Sequence, residues 1–405
     1  MRRIVFLNKY FVPDVSATSQ ILGDLAFSLA ESGREVHVVT SRQRYDDPRA
    51  CLPPKEWIGG VAVHRVATTR FGRGATLGRA VDYLSFFHSA RQAVRRLTEP
   101  GDILVAKTDP PLLCVPSAGV ARRHRLHLVN WLQDLYPEVA VELGVPMVNG
   151  PLGKLLFRLR DQALRTAAAN VVVGERMAER VRARGVLSKR VHIIPNWCDD
   201  QVVRPIAHCC NELRSEWNLQ DRFVVAYSGN LGRSHEFETV LTAAEKLRDL
   251  PQLLFLFIGG GRGLDTLKRR VVERRLETLF RFLPYQERSR LKHSLPAADA
   301  HWLSLRPELE GLIVPSKFYG IAAAGRPTIA ITSRIGEVGR LIERHRCGVV
   351  VEPGDAERLA DCLRHLCARR AELDEMGRHA RQMLDAEFTR QHAFARWHDL
   401  LAELE

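Results

Sequence analysis

Short apolar runs alternate with amphipathic stretches along most of the chain. Residues 3–7 read as a short, mostly apolar strand, and after a loop the apolar positions of residues 20–30 recur at helical spacing. Gly33 closes that helix, and residues 35–40 read as the next strand. Further strands are predicted at 62–66, 103–106, 128–132, 170–173 and 192–194. The alternation stops in a polar, proline-bearing stretch from Pro195 to about Gln220, and then resumes. The second series predicts strands at 223–227, 253–258, 279–283, 301–305, 328–331 and 348–351. Its helices are predicted at 236–248, 264–275, 289–295, 317–324 and 356–368. Residues 378–404 read as a final helix, with Phe388, Phe394 and Trp397 available for docking.

Strand–helix alternation implies a parallel sheet covered on both faces. Two such series joined by one linker predict an α/β protein of two doubly wound domains. Ligands of such sheets bind beyond the carboxyl ends of the strands, so two domains facing each other would make an interdomain cleft.

The length of 405 residues exceeds one ordinary core, and 45% apolar with 26% charged residues is globular composition. The N-terminal apolar run is too short for a signal peptide, and no window holds the about 18 apolar residues of a membrane span. The chain therefore reads as cytoplasmic, soluble or peripheral. Eight scattered cysteines with no CxxC pair predict neither disulfides nor a zinc site. Residues 1–200 carry 29 Lys and Arg against 19 Asp and Glu, ten of the thirteen net positive charges. A basic half suggests an anionic partner, whether nucleic acid, phospholipid headgroups or a phosphorylated substrate. Arginine that merely solubilises the surface is the alternative.

Three segments after strands could carry chemistry. In residues 226–235, Gly229 and Gly232 let the backbone turn tightly near a ligand, free amides favour phosphate, and Arg233 adds a fixed charge. A plain strand–helix turn is the other reading. Residues 258–263 hold a glycine cluster that includes Gly260, with Arg262 able to meet an anion; a flexible turn is again the alternative. In residues 308–327, Pro315-Ser316-Lys317 marks a helix start, with Ser316 a plausible N-cap. Lysine opposes the positive end of a helix, a conflict that a bound anion would relieve.

At these motifs the chain resembles the family 4 glycosyltransferases over nearly its full length. Ala323-Ala324-Gly325-Arg326-Pro327 matches the family's turn into a strand, and Val351-Glu352-Pro353-Gly354-Asp355 its late Pro-Gly-Asp segment. The form of residues 314–327 is closest to a subgroup that builds cell-surface polysaccharides. The resemblance implies a GT-B fold of two Rossmann-like domains facing a cleft. Residues 1–196 would bind the acceptor, 197–377 would bind the nucleotide sugar, and 378–405 would pack back on the first domain.

Several family positions are altered. Counted back from Gly325, the second of the family's paired glutamates falls on Gly320 and the first on Leu312. Anchoring on Gly311-Leu312 instead gives Glu308 or Glu310, and Glu310 is favoured as the residue facing the donor sugar. Asn230 and His235 stand where the family has Arg and Lys, so Arg233 and Lys317 become the candidates for the diphosphate charge. Pro284-Tyr285 would border the nucleobase. Ser16 and Ala17, followed by Thr18, occupy the place of the family's Gly-Gly loop. Gln133 and Asp134 lie where relatives carry a polar pair; Asp134 could orient an acceptor hydroxyl or act as base, or simply cap a helix.

The resemblance implies a retaining transfer from a nucleotide diphosphate sugar, UDP-linked in the favoured reading, by same-face attack. No cofactor is implied, and no Asp-x-Asp metal motif is present. The expected acceptor is a polyprenyl-diphosphate-linked saccharide met at an anionic membrane surface, where residues 82–96 and 152–160 place aromatic and basic groups together. Amphipathic core helices would explain those segments equally well. Two rival readings are a nucleotide-sugar epimerase and a nucleic-acid-binding protein, the latter lacking basic recognition modules.

Overall fold

The computed structural model describes residues 2–405 apart from 15, 46, 48, 73–75 and 149. It divides into two compact units, residues 1–195 with 394–405, and residues 196–393.

The first unit is built on an eight-stranded sheet of β1 (Ile4–Leu7), β2 (Val36–Ser41), β3 (Lys55–Ile58), β4 (Val61–Val66), β5 (Ile103–Lys107), β6 (His127–Leu132), β7 (Ala169–Val172) and β8 (Val191–Ile193). Its order is β3-β4-β2-β1-β5-β6-β7-β8, parallel throughout except for the β3–β4 hairpin. The central strands are buried on both faces, which is why they read as unbroken apolar runs. Val5, Leu7, Leu104 and Leu128 pack against Phe86, Ala90 and Val94 of the helix Thr76–Leu97. β3 has no counterpart in the sequence reading, because Lys-Glu-Trp-Ile is an edge strand with Trp57 exposed and no apolar run to betray it.

The second unit carries six parallel strands, β9 (Phe223–Asn230), β10 (Leu253–Gly260), β11 (Phe280–Leu283), β12 (Ala300–Ser304), β13 (Thr328–Ile331) and β14 (Gly348–Val351), ordered β11-β10-β9-β12-β13-β14. Its core is aromatic near the middle of the sheet: the Tyr227 and Phe257 rings stack at 5.0 Å, and the Phe255 and Phe280 rings at the same distance. The order reverses between β9 and β12, the place where a doubly wound sheet opens for a ligand.

Two expectations for the helices need correction. The single helix read over 378–404 is two, Arg370–Met383 and Arg390–Glu403, separated by a widened turn at Leu384–Phe388 and an extended Thr389. Residues 378–393 belong to the second unit and 394–405 to the first. The helix Glu337–His345 was not anticipated; glycine precedes it, and only Val338, Leu341 and Ile342 supply its large buried apolar side chains.

Candidate active site

In the second unit the ends of β9 and β10 are held together through glycine. Gly259 has φ +141°, and a Cβ there would lie 2.2 Å from the Gly229 carbonyl oxygen, so only glycine lets the strands approach this closely. Gly229, itself at φ +126°, faces the end of the Lys317 side chain: a Cβ at Gly229 would meet Lys317 Nζ at 4.0 Å. Lys317 Nζ lies 3.8 Å from the centre of the Tyr227 ring and donates to the Tyr227 hydroxyl. That hydroxyl donates in turn to the Asn230 carbonyl at 2.8 Å, tying the loop to the lysine. Burial pulls the Lys317 amine down to about 7, and among the described residues no carboxylate pairs with it.

His235 stands edge-on to Tyr227, its Nδ1 2.7 Å from the Ser304 carbonyl oxygen. An N–H there donates to that carbonyl and leaves Nε2 as the acceptor nitrogen. Burial, and then the nearby Lys317, lowers its pKa to about 3, so His235 is neutral and cannot stand in for the cation expected at its position. Arg233 and Asn230 are exposed on the same loop as Gly232, and Arg262 is exposed just beyond Gly260. The Tyr285 ring lies on Gly260, where a Cβ would come within 2.8 Å of it; the ring is 59% exposed, with Pro284 exposed beside it.

The segment before Lys317 is more engaged than its sequence suggests. Glu310 accepts a hydrogen bond from the Thr332 hydroxyl, and its carboxylate lies against Gly336, where a Cβ would fall 2.3 Å away. Gly336 immediately precedes the helix Glu337–His345, so the carboxylate sits at that helix's positive end. Glu308 is exposed beside Arg306, Gly311 adopts φ +73°, and Leu312 is buried in the core, leaving only its backbone to meet a ligand. Ser316 precedes the helix Lys317–Ala323 with helical angles and no side-chain cap bond, which corrects the N-cap expected there. Gly320, the position of the second family glutamate, is buried against Leu295 and Cys198, and a longer side chain would run into them.

In the first unit, Asp134 follows the carboxyl end of β6. Pro137 is the residue that precedes the helix Glu138–Glu142, so Asp134 is not its N-cap. Burial and Asp109 raise the Asp134 carboxyl to about 6, against the opposing field of Lys107. Asp134 lines a small cavity with Lys107, Thr108, Tyr136 and Arg160. Arg160 is buried and held by Glu138 Oε2 at 2.8 Å, while Tyr136 Oη is driven above its ordinary range by burial. The Gln133 backbone N–H donates to the Thr108 hydroxyl at 2.8 Å. Ser16, Ala17 and Thr18 open the helix Ala17–Glu31; the Ser16 N–H donates to Asp14 at 2.8 Å, and its hydroxyl is buried without a partner among the described residues.

Both halves of the chain match known families: Glycosyl transferase 4-like domain over residues 17–197, and Glycosyl transferases group 1 over residues 211–383. The chain belongs to the family 4 glycosyltransferases. This transferase is 26% identical over 369 residues to WcaI of Escherichia coli (strain K12), a glycosyl transferase named for colanic acid biosynthesis, covering 87% of this chain and 89% of that one. Sucrose-phosphate synthase from Thermosynechococcus elongatus superposes with a TM-score of 0.79 at 18% identity, over 100% of this chain and 99% of its own. HepE of Anabaena, solved with UDP-glucose, gives 0.75 at 15% identity with both chains fully covered. These likenesses establish the GT-B fold, with its two Rossmann-like domains.

The structure brings Gly229, Asn230, Gly232, Arg233 and Lys317 of the transferase to one end of β9, and Gly260, Arg262 and Tyr285 to the adjoining end of β10. Three residues of these sites escaped the sequence reading: Tyr227, His235 as a neutral group, and Lys107. Tyr227 and His235 gave no signal, because their roles arise from packing across β9 and β12. Lys107 did give one, being a lysine that ends the otherwise apolar run Ile-Leu-Val-Ala.

Proposed function

We propose that the transferase is a retaining enzyme that moves a sugar from a UDP-sugar to a lipid-linked saccharide in cell-surface polysaccharide synthesis. The second unit binds the donor and the first the acceptor. The observation that carries this reading is Lys317, a half-buried side chain whose amine stands beside Gly229 at the carboxyl end of β9, with no carboxylate among the described residues to balance it. An anion completes such a site, and a departing nucleoside diphosphate is the anion that this chemistry requires. Arg233 and Arg262, exposed in the loops after β9 and β10, and the loop amides around Gly229 and Gly232 would share that charge. Tyr285, one face on Gly260 and largely exposed, offers a platform for the base. The UDP-glucose held by HepE and the polysaccharide pathway named for WcaI support the donor and the pathway.

In the reaction the bond from the anomeric carbon to the β-phosphate oxygen breaks, its electron pair leaving with the diphosphate, which Lys317 and Arg233 stabilise. The acceptor oxygen bonds to the same face of that carbon, and its proton passes to Asp134. Glu310, held by Thr332 at the start of the helix Glu337–His345, is the carboxylate assigned to the donor sugar.

The acceptor side is drawn from two helices. On Pro151–Thr166 the side chains of Leu152, Leu155 and Leu159 are exposed among Lys154 and Arg158. On Thr76–Leu97, exposed Leu77, Val81 and Leu84 lead into exposed His88, Arg91 and Arg95, while Phe86, Ala90 and Val94 face the core. Leucines flanked by basic groups suit an anionic bilayer, which supports a working position at the inner face of a membrane. Among the described residues no helix is long and apolar enough to cross one.

The deciding experiment is a thermal-shift comparison of UDP, GDP, ADP and CMP. UDP should stabilise the protein selectively, Lys317→Ala should abolish the shift, and the same variant should lose about 10²-fold or more in kcat/KM. Absence of a shift with every nucleotide would overturn the donor assignment.

A further inference from the structure

Lys107 ends β5 with its side chain 1% exposed. Its Nζ lies 3.3 Å from the centre of the Trp131 ring and has no hydrogen-bond partner among the described residues. Placing an amine there is costly, since an ammonium removed from water loses several kcal/mol of solvation unless charge or hydrogen bonds replace it. A methionine of similar reach would avoid that cost, so a buried lysine at this point calls for a purpose.

Its surroundings suggest one. Burial drives the Lys107 amine well below its ordinary value, and only the fields of Asp109, two residues on, and Asp134, beyond the neighbouring β6, act to keep its proton on. Lys107 acts back on Asp134 as the cation that holds its carboxyl down, against burial and Asp109. Both side chains line one cavity of about 20 Å³, a volume that takes a single water. The other charged or titratable groups facing this pair are already occupied or differently placed. Arg160 from the helix Pro151–Thr166 is neutralised by Glu138 and Asp161. Cys114 borders the cavity from the helix Cys114–His124, and Tyr136 borders it from the loop after β6, where Tyr83 and Arg79 act on its hydroxyl.

We propose that Lys107 is a positioning residue for the acceptor-side carboxylate: through a water shared in this cavity it holds Asp134 ionised and oriented to take the acceptor's proton. The inference rests on the reading of Asp134 as the proton acceptor given above. Lys107 touches neither sugar; it acts only through Asp134.

The test pairs two readouts on the full chain, the pH dependence of kcat/KM and the ¹³C titration of the Asp134 carboxyl in the resting protein, assigned with Asp134→Asn. In the unaltered protein the carboxyl should titrate near 6. Lys107→Met should move both the titration and the acid limb of kcat/KM upward by about one unit or more, and Lys107→Arg should restore most of that shift. Should Lys107→Met not fold, Lys107→Gln, which keeps a polar group against the cavity, takes its place. A folded variant whose Asp134 titrates as before overturns the proposal. A shifted titration together with normal turnover in Asp134→Asn would instead remove Asp134 from the chemistry while leaving its coupling to Lys107 intact.

Discussion

Lys317 keeps its charge only with difficulty. Burial brings its amine to about 7, so in the resting protein near neutrality the proton is on for roughly half the molecules. A diphosphate bound there, as proposed, would reverse the balance, because an anion beside the amine favours its charged form. Donor binding should therefore take up a proton, and its affinity should fall as pH rises through 7 and beyond, until the raised pKa of the complex is passed. Calorimetry of UDP binding at pH 7.5 in two buffers of different ionisation enthalpy measures that uptake directly; a buffer-independent heat would show that Lys317 does not meet the ligand. Lys317 was legible in the sequence because lysine is misplaced at the start of a helix. The neutrality of His235 was not, since it depends on Tyr227, Ser304 and Lys317 closing around the ring.

At the level of elements, legibility followed burial. Strands such as β5 and β10, shielded on both faces, announce themselves as apolar runs, whereas β3 presents side chains to solvent and looks like a loop. The helix Pro151–Thr166 was visible as basic and amphipathic, but its sequence could not say which leucines stay outside. The answer depends on the inner face being filled by Gly153, Arg160, Ala163 and Leu164. What remains outward is a stripe of three leucines, each worth about 1.5–3 kcal/mol when buried in an apolar medium, beside cations worth about 1 kcal/mol each near an anionic surface. The proposed bilayer contact thus predicts that Leu155→Glu weakens flotation with anionic vesicles by about tenfold or more while leaving UDP binding unchanged. Equal flotation of the variant and the unaltered protein would remove this helix from the membrane face.

Across the whole molecule, the second unit folds around histidines that must remain neutral. Burial lowers His235 to about 3, and His208 and His301 to about 4, all below their ordinary value of 6.5. The unfolded chain therefore binds more protons than the folded one between about pH 6.5 and pH 3–4. Stability is full above that window and is lost as pH falls through it. Melting of the second unit should drop from pH 7 to pH 4.5, and His301→Gln should flatten the dependence even if it lowers stability at pH 7. A melting temperature independent of pH across this range would contradict the neutral state of these rings.

The two units are not successive lengths of chain. Trp397, fully buried, meets Trp131 at 4.7 Å between ring centres, and residues 394–405 complete the first unit only after the chain has run through the second. A ribosome making this protein must finish all of residues 196–393 before Trp131 can be covered. Until then the nascent first unit holds an unfinished core, so it is the first to be translated and the last to be sealed. A fragment ending at Pro195 is for the same reason not a domain but a domain with a wall missing, one that a peptide spanning residues 394–405 would have to supply from outside.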